Sequence, residues 1–183
     1  MKVWRFPVSL ALLGSALLAP SGCGRGPEPL DSSAPETTAS TQTTLSTETA
    51  STNQAPPSKP GWITSYEQGQ QEAKTNNKLV LIDFTGSDWC GWCKLLDREV
   101  FSKPEFKEYA SKNLVLVEVD FPKMKVLPDA ARTQNILLAQ RFQIQAFPTI
   151  IVLNSDGKMV GELGYVKGGP TAFIEVLEKM RKG

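Results

Sequence analysis

Apolar residues in this chain are concentrated in short runs of the length of β-strands. Residues 78–84 form an almost continuous apolar run, which is typical of a central strand buried on both faces. A second run, rich in β-branched residues, covers 114–119. The runs 149–153 and 159–163 flank Asn154-Ser-Asp-Gly157, and an Asp-Gly turn between two such runs predicts a β-hairpin.

Helical patterns lie between these runs. Residues 64–76 have a helix-compatible composition, and residues 91–101 place an apolar stripe at a spacing of three to four. Ser102-Lys-Pro-Glu105 has the form of a capping box, which predicts a new helix that runs to about residue 111. The other predicted helices cover residues 129–142 and the C-terminal stripe of Phe173, Leu177 and Met180.

The order of these elements predicts the fold class. A strand–helix–strand start favours parallel pairing, and the hairpin adds antiparallel edge strands. We therefore expect an α/β fold with a mixed central sheet between helices. The connection across residues 121–142 is long, and its role is open between packing and docking of a partner.

The N-terminus has the pattern of an export signal. Lys2 and Arg5 precede an apolar run at residues 8–19, which is too short for a comfortable membrane span. Cys23 follows directly, and bacterial lipoproteins are cleaved before such a cysteine. Residues 1–22 are thus predicted to be a lipoprotein-type signal peptide, with Cys23 carrying lipid, although Pro20 departs from the usual pattern. Ordinary cleavage nearby, which leaves Cys23 as a stray thiol, is the alternative.

Residues 24–60 are rich in Ser, Thr, Pro, Ala and Glu and have almost no large apolar residues. Such a stretch cannot bury enough surface to offset its ordering entropy, so it is predicted to be a disordered linker. As a flexible coil its ends would average roughly 35 Å apart. It would act as a tether or a bland spacer before a folded domain at residues 61–183.

Charge argues against a nucleic-acid partner. Removal of residues 1–22 takes away two positive charges and no negative ones, so the net charge of +1 becomes −1. No basic field remains.

Candidate chemistry centres on Trp89-Cys-Gly-Trp-Cys-Lys94, which follows the first strand and opens a helix. Cys90 would lie where unpaired backbone N–H groups favour a thiolate, and Cys93 is placed to resolve a mixed disulfide. Zinc is not expected, because four ligands are usual and the chain has no histidine and only one other cysteine, Cys23. A purely structural disulfide is an alternative, although so short a loop restrains the unfolded chain little.

Three motifs together resemble the thioredoxin superfamily. They are Asp83-Phe84, Trp89-Cys-Gly-Xaa-Cys-Lys94 and Phe147-Pro148-Thr149, and the resemblance covers about residues 61–183. The closer likeness is to thioredoxin-like domains of exported bacterial lipoproteins and to the C-terminal domain of the interchange protein DsbD. The resemblance implies a three-layer sandwich.

The resemblance also implies roles for individual residues. Pro148 would be cis, with a backbone neighbour that pairs with an extended client segment, and Phe147 would shape the groove. Asp83 would shuttle a proton for Cys93. Trp89, Gly91, Trp92 and Gly164 would contact the client.

Each of these roles has a plainer alternative: strand-start proline for Pro148, backbone bonding for Asp83, packing for Trp89 and a turn for Gly164. The lysine that partners the aspartate in thioredoxins has no match here, because residues 114–117 are wholly apolar.

The implied function is disulfide exchange with client proteins on the periplasmic side of a bacterial membrane, with a bias toward reduction. No flavin or nicotinamide motif is present, so no cofactor is expected, and electrons would come from a membrane or periplasmic donor. The alternative is a binding module that captures proteins through the groove at Phe147 and Pro148 with little turnover.

Overall fold

A computed structural model describes residues 55–182. The predictions for the signal peptide at 1–22, for lipidation at Cys23 and for residues 24–54 of the linker lie outside the described residues. Within Ala55 to Lys182, no helix combines the length and the apolar character needed to cross a membrane.

Four strands form one mixed sheet, as the order of the apolar runs predicted. They are β1 (Leu79–Thr85), β2 (Leu114–Asp120), β3 (Thr149–Leu153) and β4 (Met159–Leu163), in the spatial order β2-β1-β3-β4. β1 pairs parallel with β2 and antiparallel with β3, and β3 pairs antiparallel with β4. Every residue of β1 is buried, so the prediction of a central strand is confirmed, whereas only β4 of the hairpin lies at an edge.

Five α-helices cover the two faces of this sheet. They are α1 (Tyr66–Asn76), α2 (Gly91–Leu96), α3 (Pro104–Asn113), α4 (Asp129–Arg141) and α5 (Gly169–Lys182). Alternate residues of β1 point to opposite faces and enter two separate cores. Leu81 packs with side chains of α2, α3 and α5, and Ile82 packs with side chains of α1 and α4. The predicted three-layer sandwich is therefore confirmed.

The predicted helix at 91–101 is not uniform. It is α-helical as far as Leu96 and continues as a π-helical turn over Asp97–Phe101. Residues five apart come close to alignment in a π turn, so Leu96, Val100 and Phe101 can all be buried. This π turn continues the helix that begins at the candidate site and carries buried core residues.

The predicted capping box at Ser102 is wrong. α3 begins at Pro104 as its first residue, and its N-cap Lys103 makes no side-chain capping bond. Ser102 instead belongs to the end of the π turn, where its N–H donates to the carbonyl of Asp97 at 2.8 Å and its hydroxyl bonds the Asp97 carboxylate at 3.1 Å. Ser102 therefore closes the π turn, and Lys103 occupies the N-cap position of α3.

The N-terminal segment, residues 55–63, packs against the sheet before α1. Ile63 forms a parallel bridge to Val117 at the outer edge of β2, and Trp62 is buried. Ser58 and Lys59 reach the interior and bond the side chains of Glu118 and Asp83. Polar side chains as well as apolar ones therefore anchor residues on both sides of the predicted boundary at residues 60 and 61.

Candidate active site

The cysteine pair lies where β1 ends and α2 begins. Cys90 and Cys93 form a disulfide, with their Cα atoms 5.3 Å apart. Cys90 is the N-cap residue of α2, and its Sγ accepts the N–H of Cys93 at 3.2 Å. A sulfur at this position faces the positive end of the helix backbone, which favours its ionised form when the disulfide is reduced. The two residues are 6% and 5% exposed in the disulfide form.

The indole ring of Trp89, the residue before Cys90, packs against two neighbouring loops. Its indole N–H donates to the carbonyl of Phe121 at 2.8 Å, and its ring lies edge-on to Phe147 at 5.8 Å between centroids. The ammonium of Lys123 lies 4.2 Å from the ring centroid. Trp89 is nevertheless 39% exposed, so it combines packing with an accessible face.

Gly86 makes this arrangement possible. A Cβ atom at Gly86 would lie 2.5 Å from Cε2 of Trp89, well inside contact distance. No local sequence signal marks this role of Gly86, because the ring that needs the space comes from Trp89, three residues further along the chain.

Trp92 stands between the two cysteines in the chain and is 59% exposed. Its ring is 5.5 Å from that of Tyr165, whose hydroxyl donates to Glu99. Gly91, between the cysteines, is exposed, and a Cβ added there would meet nothing within 4 Å. The two residues thus present an open surface at the start of α2.

The peptide bond between Phe147 and Pro148 is cis, and β3 begins directly after it. Both residues are partly buried. Gly164 is exposed, and a Cβ atom there would lie 3.5 Å from the carbonyl oxygen of Pro148. The structure therefore brings Trp89, Phe147, Pro148 and Gly164 together, and Trp92 contacts Tyr165, which follows Gly164 in the chain.

Asp83 is 2% exposed near the end of β1. Its Oδ2 lies 2.5 Å from Nζ of Lys59, and its Oδ1 has no hydrogen-bond partner among the described residues. The alternative that Asp83 bonds backbone at the strand end is wrong for this structure. Burial raises the pKa of Asp83, although the charge of Lys59 opposes the rise.

The aspartate does have a lysine partner, contrary to the sequence-based expectation. Lys59 comes from the N-terminal segment and not from β2. Burial alone would lower its pKa, but attraction to Asp83 and Glu118 outweighs burial and leaves the pKa of Lys59 raised. No local signal marks this lysine, since it stands between Ser58 and Pro60 in a polar stretch.

A cleft of about 260 Å³ lies between Cys93 and the charged side chains of Lys59 and Glu118. Its walls include Lys59, Glu118, Asp97, Thr85 and Cys93. Cys93 and the charged side chains of Lys59, Glu118 and Asp97 therefore share one polar opening.

The insertion loop, residues 121–128, is fixed to the turn before Cys90. The carboxylate of Asp88 accepts the N–H groups of Lys123 at 3.0 Å and Met124 at 2.7 Å, and the first of these bonds is the main cause of a lowered Asp88 pKa. Ser87 bonds the carboxylate of Asp120 through both its N–H and its hydroxyl. The loop is thus part of the site's frame, a role that the sequence left open.

A mixed sheet, a cis proline before β3 and a disulfide at the start of α2 define the thioredoxin-like class of proteins. The model of the thioredoxin-like domain family matches residues 66–181, and the chain belongs to this family.

Known relatives agree with this assignment. Disulfide bond reductase DsbH of Chlamydia pneumoniae is 31% identical over 118 residues, which are 64% of this chain and 71% of that protein. A solved structure titled DsbH oxidoreductase superposes with a TM-score of 0.62 at 29% identity and covers 69% of this chain and 92% of that one. Thiol:disulfide interchange protein DsbD of Pasteurella multocida is 30% identical over 123 residues, 65% of this chain, but the match spans only 19% of DsbD.

Proposed function

We propose that this chain is a thiol–disulfide oxidoreductase that exchanges disulfides with client proteins through Cys90 and Cys93. The observation that carries the proposal is the disulfide at the N-terminus of α2, in a family member that resembles a protein named disulfide bond reductase. The pair is next to exposed aromatic surface, which suits a protein substrate.

The first exchange uses Cys90. In the reduced protein its thiolate is stabilised by the N–H of Cys93 and attacks one sulfur of a client disulfide. A bond forms between Sγ of Cys90 and that sulfur, the client S–S bond breaks, and the second client sulfur leaves as a thiolate that takes up a proton.

The second exchange uses Cys93. Its thiol loses a proton, and its sulfur attacks Sγ of Cys90, which releases the first client sulfur as a thiol. Two electrons have then passed to the client, and Cys90–Cys93 is the disulfide. Each turnover leaves the pair oxidised, so a separate electron donor, membrane-bound or periplasmic, is proposed to reduce it again.

Asp83 is proposed to accept the proton of Cys93. It is buried, its pKa is raised, and one of its oxygens has no partner in residues 55–182. A buried carboxylate with a raised pKa can take up a proton and return it. The cleft lined by Cys93 also contains Lys59, the ion-pair partner of Asp83, which places the acid close to this sulfur's surroundings.

Client binding is assigned to the two aromatic surfaces beside the pair. An extended client segment would pair with the backbone next to Pro148, between Phe147 and the exposed Gly164. Trp89 and Trp92 would flank it, with Gly91 leaving room at the start of α2.

The working direction is proposed to be reduction. Gly91 and Trp92 carry no charge that would favour the dithiol over the disulfide. We further propose that the protein is exported and held on the periplasmic side of a membrane by lipid on Cys23. The relative named for disulfide bond reduction supports the direction, and the signal-like residues 1–22 support the location.

Insulin reduction driven by dithiothreitol tests the function. Cys90→Ser should abolish catalysis, and Cys93→Ser should accumulate a mixed disulfide between Cys90 and the client, visible by non-reducing electrophoresis. Unchanged turnover in Cys90→Ser would overturn the proposal, and a wild-type protein that binds insulin without reducing it would favour the binding module.

A further inference from the structure

Two carboxylates lie side by side in the interior of this domain. Asp83 on β1 and Glu118 on β2 are partners in the parallel register, and each is 2% exposed. Neighbouring strands are about 4.8 Å apart, and register partners emerge on the same face of a sheet. Two buried anions at this spacing repel each other, so this acid pair, Asp83 and Glu118, requires a counter-charge or a bound proton.

A single lysine supplies the counter-charge. Nζ of Lys59 lies 2.5 Å from Oδ2 of Asp83 and 3.3 Å from Oε1 of Glu118, and its side chain is only 13% exposed. The ammonium also lies 4.0 Å from the ring centroid of Trp62. It is therefore held by two acids and an aromatic face, with little contact with water.

Ser58 fastens the same segment to the acid pair. Its N–H and its hydroxyl donate to the two carboxylate oxygens of Glu118, each at 2.5 Å. Neither Ser58 nor Lys59 belongs to a helix or strand. The N-terminal segment therefore supplies the acid pair with its cation, Lys59, and with two hydrogen-bond donors from Ser58. This segment packs along the outer edge of β2.

The balance of charge around Asp83 depends on this one lysine. Within residues 55–182 its only ion pair is with Lys59, whereas Glu118 and Asp97 both act on it as like charges. The other titratable groups that line the neighbouring cleft are Cys93, Lys94 and Lys125. Loss of Lys59 would leave Asp83 with acids as its nearest charged neighbours.

We propose that Lys59 is a positioning residue of the exchange reaction. It keeps Asp83 ionised and oriented, and through Asp83 it sets how readily Cys93 gives up its proton. The cation is delivered by the N-terminal segment, so the join between linker and domain is part of the redox centre. This inference rests on the proton role proposed for Asp83.

Opposite substitutions in the full-length chain test it. Lys59→Met removes the cation and should raise the pKa of Asp83, whereas Glu118→Gln removes the second acid and should lower it. At a pH below both midpoints, each unit of upward shift lowers the rate of the Cys93 step about tenfold, because the ionised fraction of Asp83 falls by that factor. Lys59→Arg should restore most of the rate, since guanidinium keeps the charge.

Two readouts separate this proposal from the proposed function. The titration of the Asp83 carboxyl carbon, followed by NMR in the disulfide form, needs no activity. The pH profile of mixed-disulfide resolution in single turnover reports on Cys93. Lys112→Met removes an exposed ion pair with Glu108 far from the site and should change neither readout.

The proposal is supported if Lys59→Met and Glu118→Gln shift the pKa of Asp83 and the pH profile in opposite directions. Lys59→Arg should then restore both. Equal profiles in wild type and Lys59→Met, or equal losses in Lys59→Met and Lys59→Arg, overturn it. If Lys59→Met does not fold, the proposal is tested by Glu118→Gln alone. It is overturned if the pH profile of mixed-disulfide resolution in Glu118→Gln does not shift to lower pH. A wild-type protein inactive toward insulin would reject the proposed function, while the NMR titration would still decide whether Lys59 controls Asp83.

Discussion

Replacement of Gly86 by alanine should displace the Trp89 ring without changing either cysteine. The new Cβ would lie 2.5 Å from Cε2, 2.6 Å from Nε1 and 2.8 Å from Cζ2 of the Trp89 ring. These atoms belong to a rigid indole, so the whole ring must turn away. Gly86 has no left-handed backbone conformation to complicate the result.

The cost follows from the contacts that the ring would lose. The hydrogen bond from Trp89 to the carbonyl of Phe121 is worth about 0.5–1.5 kcal/mol. The edge-on pair with Phe147 is worth a further 0.5–1.5 kcal/mol, roughly. With partial relaxation, we expect Gly86→Ala to lower the free energy of unfolding by about 1–3 kcal/mol.

Urea unfolding measures this loss. A change of this size should lower the midpoint by roughly 1 M. Insulin reduction should fall severalfold, because Trp89 flanks Cys90, and the indole N–H resonance of Trp89 should move. Gly91→Ala is the matched control, since its Cβ meets nothing within 4 Å, and the stability should stay equal or rise by up to about 1 kcal/mol. An unchanged midpoint and an unmoved Trp89 resonance in Gly86→Ala would refute the reasoning.

Two further predictions concern the charged interior and the exposed surface. Burial raises the pKa of Asp83 in the folded chain. The protonated group therefore contributes its full stability at a pH below its pKa in the unfolded chain. This contribution is lost as the pH rises through its pKa in the folded chain. Asp83→Asn should therefore be more stable than wild type at neutral pH, and this difference should disappear in acid. Urea unfolding at several pH values measures the difference. The same stability difference at every pH would contradict the prediction. Trp92→Ala should leave stability within about 0.5 kcal/mol because the ring is 59% exposed, and should slow reduction of insulin but not of a small disulfide; equal slowing of both would contradict a role in client binding.

Most of the sheet could be predicted because its signals are local. The uninterrupted apolar run of β1 requires burial on both faces, and Gly157 has the left-handed φ of 81° that the hairpin turn needs. The cysteines at the start of α2 and the proline before β3 are also legible as short motifs. In each case the residues that decide the structure are neighbours in the chain.

The remainder depends on contacts between distant residues. Lys59 pairs with Asp83 across 24 positions, and nothing in the surrounding Pro-Pro-Ser-Lys-Pro distinguishes it from a linker lysine. Asp88 holds the insertion loop through backbone N–H groups 35 and 36 residues away. Ser102 had the right spacing for a capping box, but it belongs to the end of the preceding π turn, where its N–H and hydroxyl both bond Asp97.

The proposed reaction depends above all on the ionisation of the sulfur at position 90. The most direct measurement is the rate at which Cys90 in the dithiol form reacts with iodoacetamide as a function of pH, followed by mass spectrometry of the peptide that contains it. A free cysteine has a pKa of about 8.5, and capping of α2 should bring that of Cys90 clearly below this value. A midpoint at or above the ordinary value, or a thiol that does not react, would contradict the account.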